Sequence, residues 1–250
     1  MAGSEKVIEI RQLFHLPEFQ DVLRLQKVIW GFADNELLPL RFLVVISKVG
    51  GHVFGAYDGA EMIGFCFAIP GIKTGGRPYL HSHMLGVLPP YQNTGIGRLL
   101  KMRQREEALA RGIELIEWTF DPLELKNAFL NIEKLGAIVR RYNENQYGVT
   151  ASPLHGGLPT DRCYAEWWIN TPRVRAALAG EPVRQGSGPA GMRISYPADI
   201  ARIRSENLPR AREIQKCNGD RLQRAFEQGL AVTGFERGAT EGTYLLEPWQ

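Results

Sequence analysis

The stretch Met84-Leu85-Gly86-Val87-Leu88-Pro89-Pro90-Tyr91-Gln92-Asn93-Thr94-Gly95-Ile96-Gly97-Arg98-Leu99-Leu100 decides how this chain is read. Its first residues end a strand predicted over 79–87, after a Gly/Pro-rich loop at 71–78. Ile96, Leu99 and Leu100 share one face of a helix predicted over 96–111. Prolines and glycines between them force a turn. Gly95 and Gly97 carry no side chain, so a ligand can approach the backbone closely. The N–H groups of a helix start and the positive end of its dipole attract anions. Arg98 and Lys101 add formal charge. A pyrophosphate is the ligand that suits such a turn.

Two phosphate loops are ruled out by the residues present. A Walker A loop needs Gly-Lys-Ser/Thr after four spacer residues, and none follows here. A dinucleotide fingerprint needs a third glycine where Leu100 stands, and an opening βαβ unit. The preceding strands, at 52–57 and 62–69, instead flank Asp58-Gly59, which marks a hairpin. Outward from there, a strand is expected at 7–14. A helix follows from Pro17, with Phe19, Val22, Leu23 and Val28 on its apolar positions, and then a shorter helix at 39–49. Downstream come a strand at 113–120, a helix from Asp121 to Leu135, and strands at 137–147 and 163–169 around a loop at 151–161. Asp121, Pro122 and Glu124 read as N-cap, N1 and N3, which favours a capping role for Asp121 over a substrate-facing one. A linker is expected at 185–191. Beyond it lie a strand at 192–196, one helical stretch over 197–228, and strands at 231–236 and 243–247.

The spacing Gln92-x-x-Gly95-x-Gly97 resembles the Gln/Arg-x-x-Gly-x-Gly/Ala loop of the GNAT N-acetyltransferase superfamily. The order of elements is also the order that superfamily shows. Asn127-Ala128-Phe129-Leu130-Asn131-Ile132-Glu133-Lys134-Leu135-Gly136-Ala137 is similar to its Asn-containing helix ending in Lys-Leu-Gly. The resemblance covers about residues 7–170 and is closest to a branch with an extra C-terminal segment. It implies an α/β (α+β) fold: a mixed, mostly antiparallel sheet with a splayed parallel strand pair, flanked by helices, plus a small C-terminal α/β extension. The domain expectation is therefore 1–170 for an acyl-coenzyme A-binding domain, 171–191 for a helix and linker, and 192–250 for the extension. The extension either caps the acceptor site or forms a subunit interface, as in a homodimer.

For the site, the resemblance implies that the pantetheine arm of acetyl-coenzyme A (or another acyl-coenzyme A) pairs with backbone at Leu85 and Val87. Gln92, Asn93, Thr94, Gly95, Ile96, Gly97 and Arg98 would hold the pyrophosphate, and Asn127 would contact the cofactor near its thiol. The expected reaction is attack of a small-molecule primary amine on the thioester in a ternary complex, with a backbone N–H near Leu85 as oxyanion donor. The run His81-Ser82-His83 is similar to the His-x-His strand of arylalkylamine N-acetyltransferases, which makes His81 and His83 the catalytic pair that takes the amine's proton. Period two puts both on one face of the strand. The other reading is a pair of strand histidines satisfied within the core. One position departs from the family. Ile132 stands where many members place a tyrosine that protonates the leaving thiolate. Either another donor such as Tyr142 or water acts, or the chain only binds and senses an acyl-coenzyme A.

Other features read plainly. Trp30, Phe32 and Glu36 lie where the superfamily builds its acceptor wall, although aromatics at that spacing more often serve a core. The side chain of Glu117 points into the splay or away from it. Cys66 has no evident partner and reads as a buried small hydrophobe. Cys66, Cys163 and Cys217 are odd in number and lack zinc spacing, so neither a metal site nor a disulfide framework is expected. The net charge of +3 does not call for a nucleic acid, and the arginines of 202–224 alternate with acids as on a solvated helix face. No membrane-length apolar run or signal peptide is visible, which makes a cytoplasmic protein the expectation.

Overall fold

The computed structural model describes residues 7–148, 156–182 and 191–249. The chain divides into two units, Met1–Ile116 and Glu117–Gln250. The first holds β1 (Ile8–Gln12), α1 (Leu16–Trp30), α2 (Leu40–Lys48), β2 (His52–Asp58), β3 (Glu61–Ile72), β4 (Pro78–Val87) and α3 (Ile96–Ala110). Its strands run β1-β2-β3-β4, each antiparallel to its neighbour. Asp58 faces Glu61 across the expected hairpin turn. Helix α1 starts at Leu16 because Pro17 is pre-set for a first turn and the Glu18 carboxylate accepts the N–H groups of Phe14 (2.9 Å) and His15 (3.0 Å). Phe19, Val22 and Leu25 then face the core.

Two neighbouring residues of β3 fix the layers of this unit. The Phe65 ring meets Trp30 of α1 edge-on at 5.8 Å, while the Cys66 Sγ points at Leu100 O of α3 at 3.8 Å. Consecutive strand residues point to opposite faces, so α1 and α3 cover opposite faces of this sheet.

The second unit holds most of β5 (Leu115–Phe120), α4 (Leu125–Phe129), which continues as a π turn (Leu130–Lys134), and β6 (Ile138–Asn143). These are followed by β7 (Arg162–Trp168), α5 (Pro172–Ala179), β8 (Met192–Pro197), α6 (Ile200–Glu206), α7 (Leu208–Glu227), β9 (Leu230–Arg237) and β10 (Glu241–Pro248). The strand order is β5-β7-β6-β9-β10-β8. Strand β9 pairs with β6 at Val232 and Val139, so the segment after residue 191 lengthens this unit's sheet. Helix α7 lies over β6, β8 and β9.

Several element boundaries differ from expectation. The helix expected to start at Asp121 begins at Leu125. The Asp121 carboxylate accepts Leu123 N–H (2.8 Å) and its carbonyl accepts Glu124 N–H (3.0 Å), which makes a separate turn. The single helical stretch over 197–228 is two helices. Asn207 leaves helical geometry (φ −145°, ψ 75°), and its side chain caps α7 at Arg210 N–H, 3.1 Å, with Pro209 in the first turn. The strand expected over 137–147 ends at Asn143. The linker expected at 185–191 lies outside the described residues up to 190, and the loop at 151–161 is described only from 156.

Strand β6 carries a bulge opposite β7, where the pairing steps from Val139↔Ala165 to Tyr142↔Cys163. Arg140 and Arg141 fall in it and reach two buried carboxylates. Arg141 Nη2 donates to Glu117 Oε1 at 2.7 Å, and Arg140 Nη2 donates to Glu166 Oε2 at 2.5 Å. Removing one partner of a buried pair leaves the remaining charge less well compensated, which costs about 3 kcal/mol when both partners are buried. Arg141 is half-exposed and screened, so Arg141→Met should cost about 2 kcal/mol. A lower urea midpoint with an unchanged m-value would register it, and Glu117→Gln in the same background should restore part of the loss.

Among the described residues no helix is long and apolar enough to cross a membrane, and no group of three His, Cys, Asp or Glu could hold a metal ion.

Candidate active site

The Gly-rich turn is held by its own side chains. Gln92 Nε2 donates to Val87 O at 3.1 Å, Thr94 Oγ1 donates to Tyr91 O at 2.6 Å, and Tyr91 Oη donates to Asp58 Oδ2 at 2.9 Å. Asn93 and Gly95 take left-handed backbone, with φ of 64° and 93°. Gly95 is the N-cap of α3 and offers no capping side chain. The first intrahelical bond runs from Leu99 N–H to Gly95 O (3.0 Å). The N–H groups of Ile96 and Gly97 lie ahead of it at the positive end of the dipole. An added Cβ at Gly95 would meet nothing within 4 Å, so the space before the helix is open. An uncapped helix start behind a left-handed turn fits a pyrophosphate.

Strand β4 leads into this turn. His81 and His83 lie on the face that α1 covers. Their ring centroids are 5.9 Å apart, and His83 sits 5.6 Å from Phe67. His83 is open to solvent, and desolvation by the atoms around it lowers its pKa below the ordinary imidazole value. Three residues farther on, past a change of phase in the strand, the same face is crowded. A Cβ on Gly86 would come within 2.8 Å of both Ile29 and Trp30, so only glycine fits beneath that indole. Trp30 in turn stacks on Phe32 at 5.6 Å. Glu36 is occupied locally, its Oε2 accepting Ala33 N–H at 3.1 Å.

The pairing of β3 with β4 steps from Phe67↔Met84 to Ala68↔Ser82, which makes His83 the extra residue of a β-bulge. Under it, on the α3 face, lies a buried polar chain that sequence reasoning missed. Lys101 Nζ donates to Ser82 Oγ (2.9 Å), Ser82 Oγ donates to Gln104 Oε1 (2.9 Å), and Gln104 Nε2 meets His52 Nε2 (3.1 Å). All four residues are at most 5% exposed. Burial brings the Lys101 pKa down to about 7 and that of His52 to about 3. A signal was present in the sequence. Lys101 and Gln104 occupy helix positions that share a face with Leu100 and Ala108, where apolar residues belong.

The remaining candidates lie in the second unit. Asn127 stands exposed on α4, and Ile132 is fully buried in the π turn. Tyr142 is withdrawn as a proton donor: it is buried, its hydroxyl donates to Asp161, and burial raises its pKa far above the phenol range. The Asp121 pKa is pushed up to about 6, mainly by burial. In the first unit, the Cys66 thiol is pushed up to about 12 by burial, which leaves it inert at neutral pH.

The model of the acetyltransferase (GNAT) family matches residues 7–136, just over half of the chain. The chain belongs to that family. It is an N-acetyltransferase, and an acyl-coenzyme A is its cosubstrate. The sheet is of the mixed kind the family shows, antiparallel strands with one parallel pair between flanking helices. Arabidopsis thaliana NAA60, solved in complex with a bisubstrate analogue, matches with a TM-score of 0.54 and 14% identity over 66% of this chain and 99% of its own. The GNAT-family acetyltransferase of Streptococcus pneumoniae matches with a TM-score of 0.54 and 16% identity over 65% of this chain and 100% of its own. No curated protein matches the chain in sequence.

Proposed function

We propose that the chain transfers an acetyl group from acetyl-coenzyme A to the primary amine of a small molecule, which attacks the thioester directly. The observation that carries this reading is the pair His81 and His83, ring beside ring on the strand that enters the Gly-rich turn. When bound, acetyl-coenzyme A supplies an activated acyl carbonyl. Residues 92–98 hold its pyrophosphate, the backbone of Leu85 and Val87 lines its pantetheine arm, and Asn127 contacts it near the thiol. An ammonium must lose its proton before it can attack. The lowered pKa of His83 keeps that imidazole neutral, and so able to accept a proton, at neutral pH. We also take residues 1–170 as the acyl-coenzyme A-binding part, 171–191 as a helix and linker, and 192–250 as an extension of it.

One position bears on which group gives the leaving thiolate its proton. Ile132, fully buried, has no proton to give a thiolate. Thiol release from acetyl-coenzyme A with a panel of small primary amines tests the proposal, and no release with any of them would overturn it. With an amine that supports release, His81→Gln/His83→Gln should lower kcat/KM about 100-fold, the usual scale of general base catalysis, with acetyl-coenzyme A affinity unchanged. Undiminished turnover in the double variant would remove the histidines from the mechanism.

A further inference from the structure

Strand β4 presents an inconsistency of parity. Ser82 and Gly86 are four residues apart, so in a regular strand both would point to the same face. Ser82 points to the α3 face, where its hydroxyl is held by Lys101 and Gln104 at 2.9 Å each. Gly86 points to the α1 face, under Ile29 and Trp30. The strand must change phase between the two, and the bulge at His83 is where it does so. A slip of the bulge by one residue would reverse the side chains between its old and new positions. His83 would then leave the face it shares with His81 and Phe67.

We propose that Ser82 and Lys101 are positioning residues that lock the β4 bulge at His83, and thereby hold the two histidines side by side facing the acceptor amine. The upstream pin is polar and buried. Ser82 Oγ takes one hydrogen bond from Lys101 and gives one to Gln104, whose amide reaches His52 on β2. The downstream pin is steric, the indole of Trp30 on Gly86. Among the charged and titratable groups acting on this cluster are Cys66 from β3, His52 from β2, and Arg103 and Arg111 from the region of α3. An apolar side chain at 82 would fill the space but could hold no register through hydrogen bonds. The catalytic meaning of this lock rests on the reading of His81 and His83 as proton acceptors.

The test uses the full-length chain, isotopically labelled and without ligand, so it does not depend on finding the acceptor. Two readouts are taken by NMR: the cross-strand backbone contacts Phe67–Met84 and Ala68–Ser82, and the imidazole titration of each histidine. In Ser82→Ala/Lys101→Met both cross-strand contacts should be lost or doubled. The His83 midpoint should move away from its wild-type position, because the atoms that desolvate the ring change with the register. Ser82→Thr, which keeps the hydroxyl, should retain the wild-type register and midpoint. Ser82→Ala alone decides the matter should the double variant not fold. A folded variant with wild-type contacts and a wild-type His83 midpoint overturns the proposal. If the register moves, yet His81→Gln/His83→Gln turns over amine normally, the lock stands and the proton-acceptor reading fails.

Discussion

Gly95→Glu should bind acetyl-coenzyme A about 100-fold more weakly than the wild type, a loss of ~2.7 kcal/mol measurable by isothermal titration. Two effects combine at this position. The backbone at φ 93° is left-handed, which costs a residue with a Cβ about 1–2 kcal/mol. A carboxylate at the N-cap would also stand where the helix dipole draws the pyrophosphate, repelling it and competing for the same N–H groups. Gly95→Ala separates the two, because it introduces the strain without the charge. The open space around an added Cβ means that this variant should lose only several-fold in affinity. Equal affinity in the wild type and Gly95→Glu would mean that the turn does not hold the pyrophosphate.

Lys101→Met should be more stable than the wild type at pH 7, by about 2 kcal/mol, and should melt about 5 °C higher. The Lys101 pKa falls from 10.5 to about 7 on folding because its ammonium is desolvated. Between those two values the unfolded chain binds the extra proton, so stability rises with pH across this window and falls as pH drops through it. At pH 7 the full linkage would be worth roughly 4–5 kcal/mol. Losing the hydrogen bond to Ser82 takes back about 1 kcal/mol, and relaxation of the buried site reduces the remainder. The diagnostic is the pH dependence. The advantage of Lys101→Met should shrink steadily from pH 7 to pH 10.5, where the wild type no longer has a proton to shed. A constant difference across that range would show that folding does not lower the pKa of Lys101. A gain in stability together with a displaced His83 titration would identify Lys101 as a residue whose cost in stability supports the geometry of the site.

The parts of this fold that were legible are those fixed by local chemistry. Asp58-Gly59 could only be a hairpin turn between two apolar runs, and it is one. Gly95 and Gly97 after a strand announced the helix start. The GNAT family and its mixed sheet followed from them. Where the reading failed, a partner absent from the local window decided the outcome. Asp121 carries the residues of a capping box, yet its carboxylate took Leu123 N–H two residues on, and the helix waited until Leu125. The phase change in β4 is invisible in the sequence of β4 alone, because its pins lie on α1 and α3. The break at Asn207 was within reach, since an Asn followed two residues later by Pro is an N-terminal helix signal inside what looked like one long helix.

The pairing of β9 with β6 also bears on how this chain is made. Val232 meets Val139, Tyr244 Oη donates to Pro122 O (2.8 Å), and Phe235 N–H donates to Glu133 Oε1 (2.6 Å). The second unit therefore joins residues far apart in the order of translation, whereas the first unit is made of residues up to Ile116. On the ribosome the first unit can close while synthesis continues. Strand β6 must wait with one edge bare until β9 emerges, which is the interval in which a nascent chain of this kind is most exposed to wrong pairing and most dependent on chaperones.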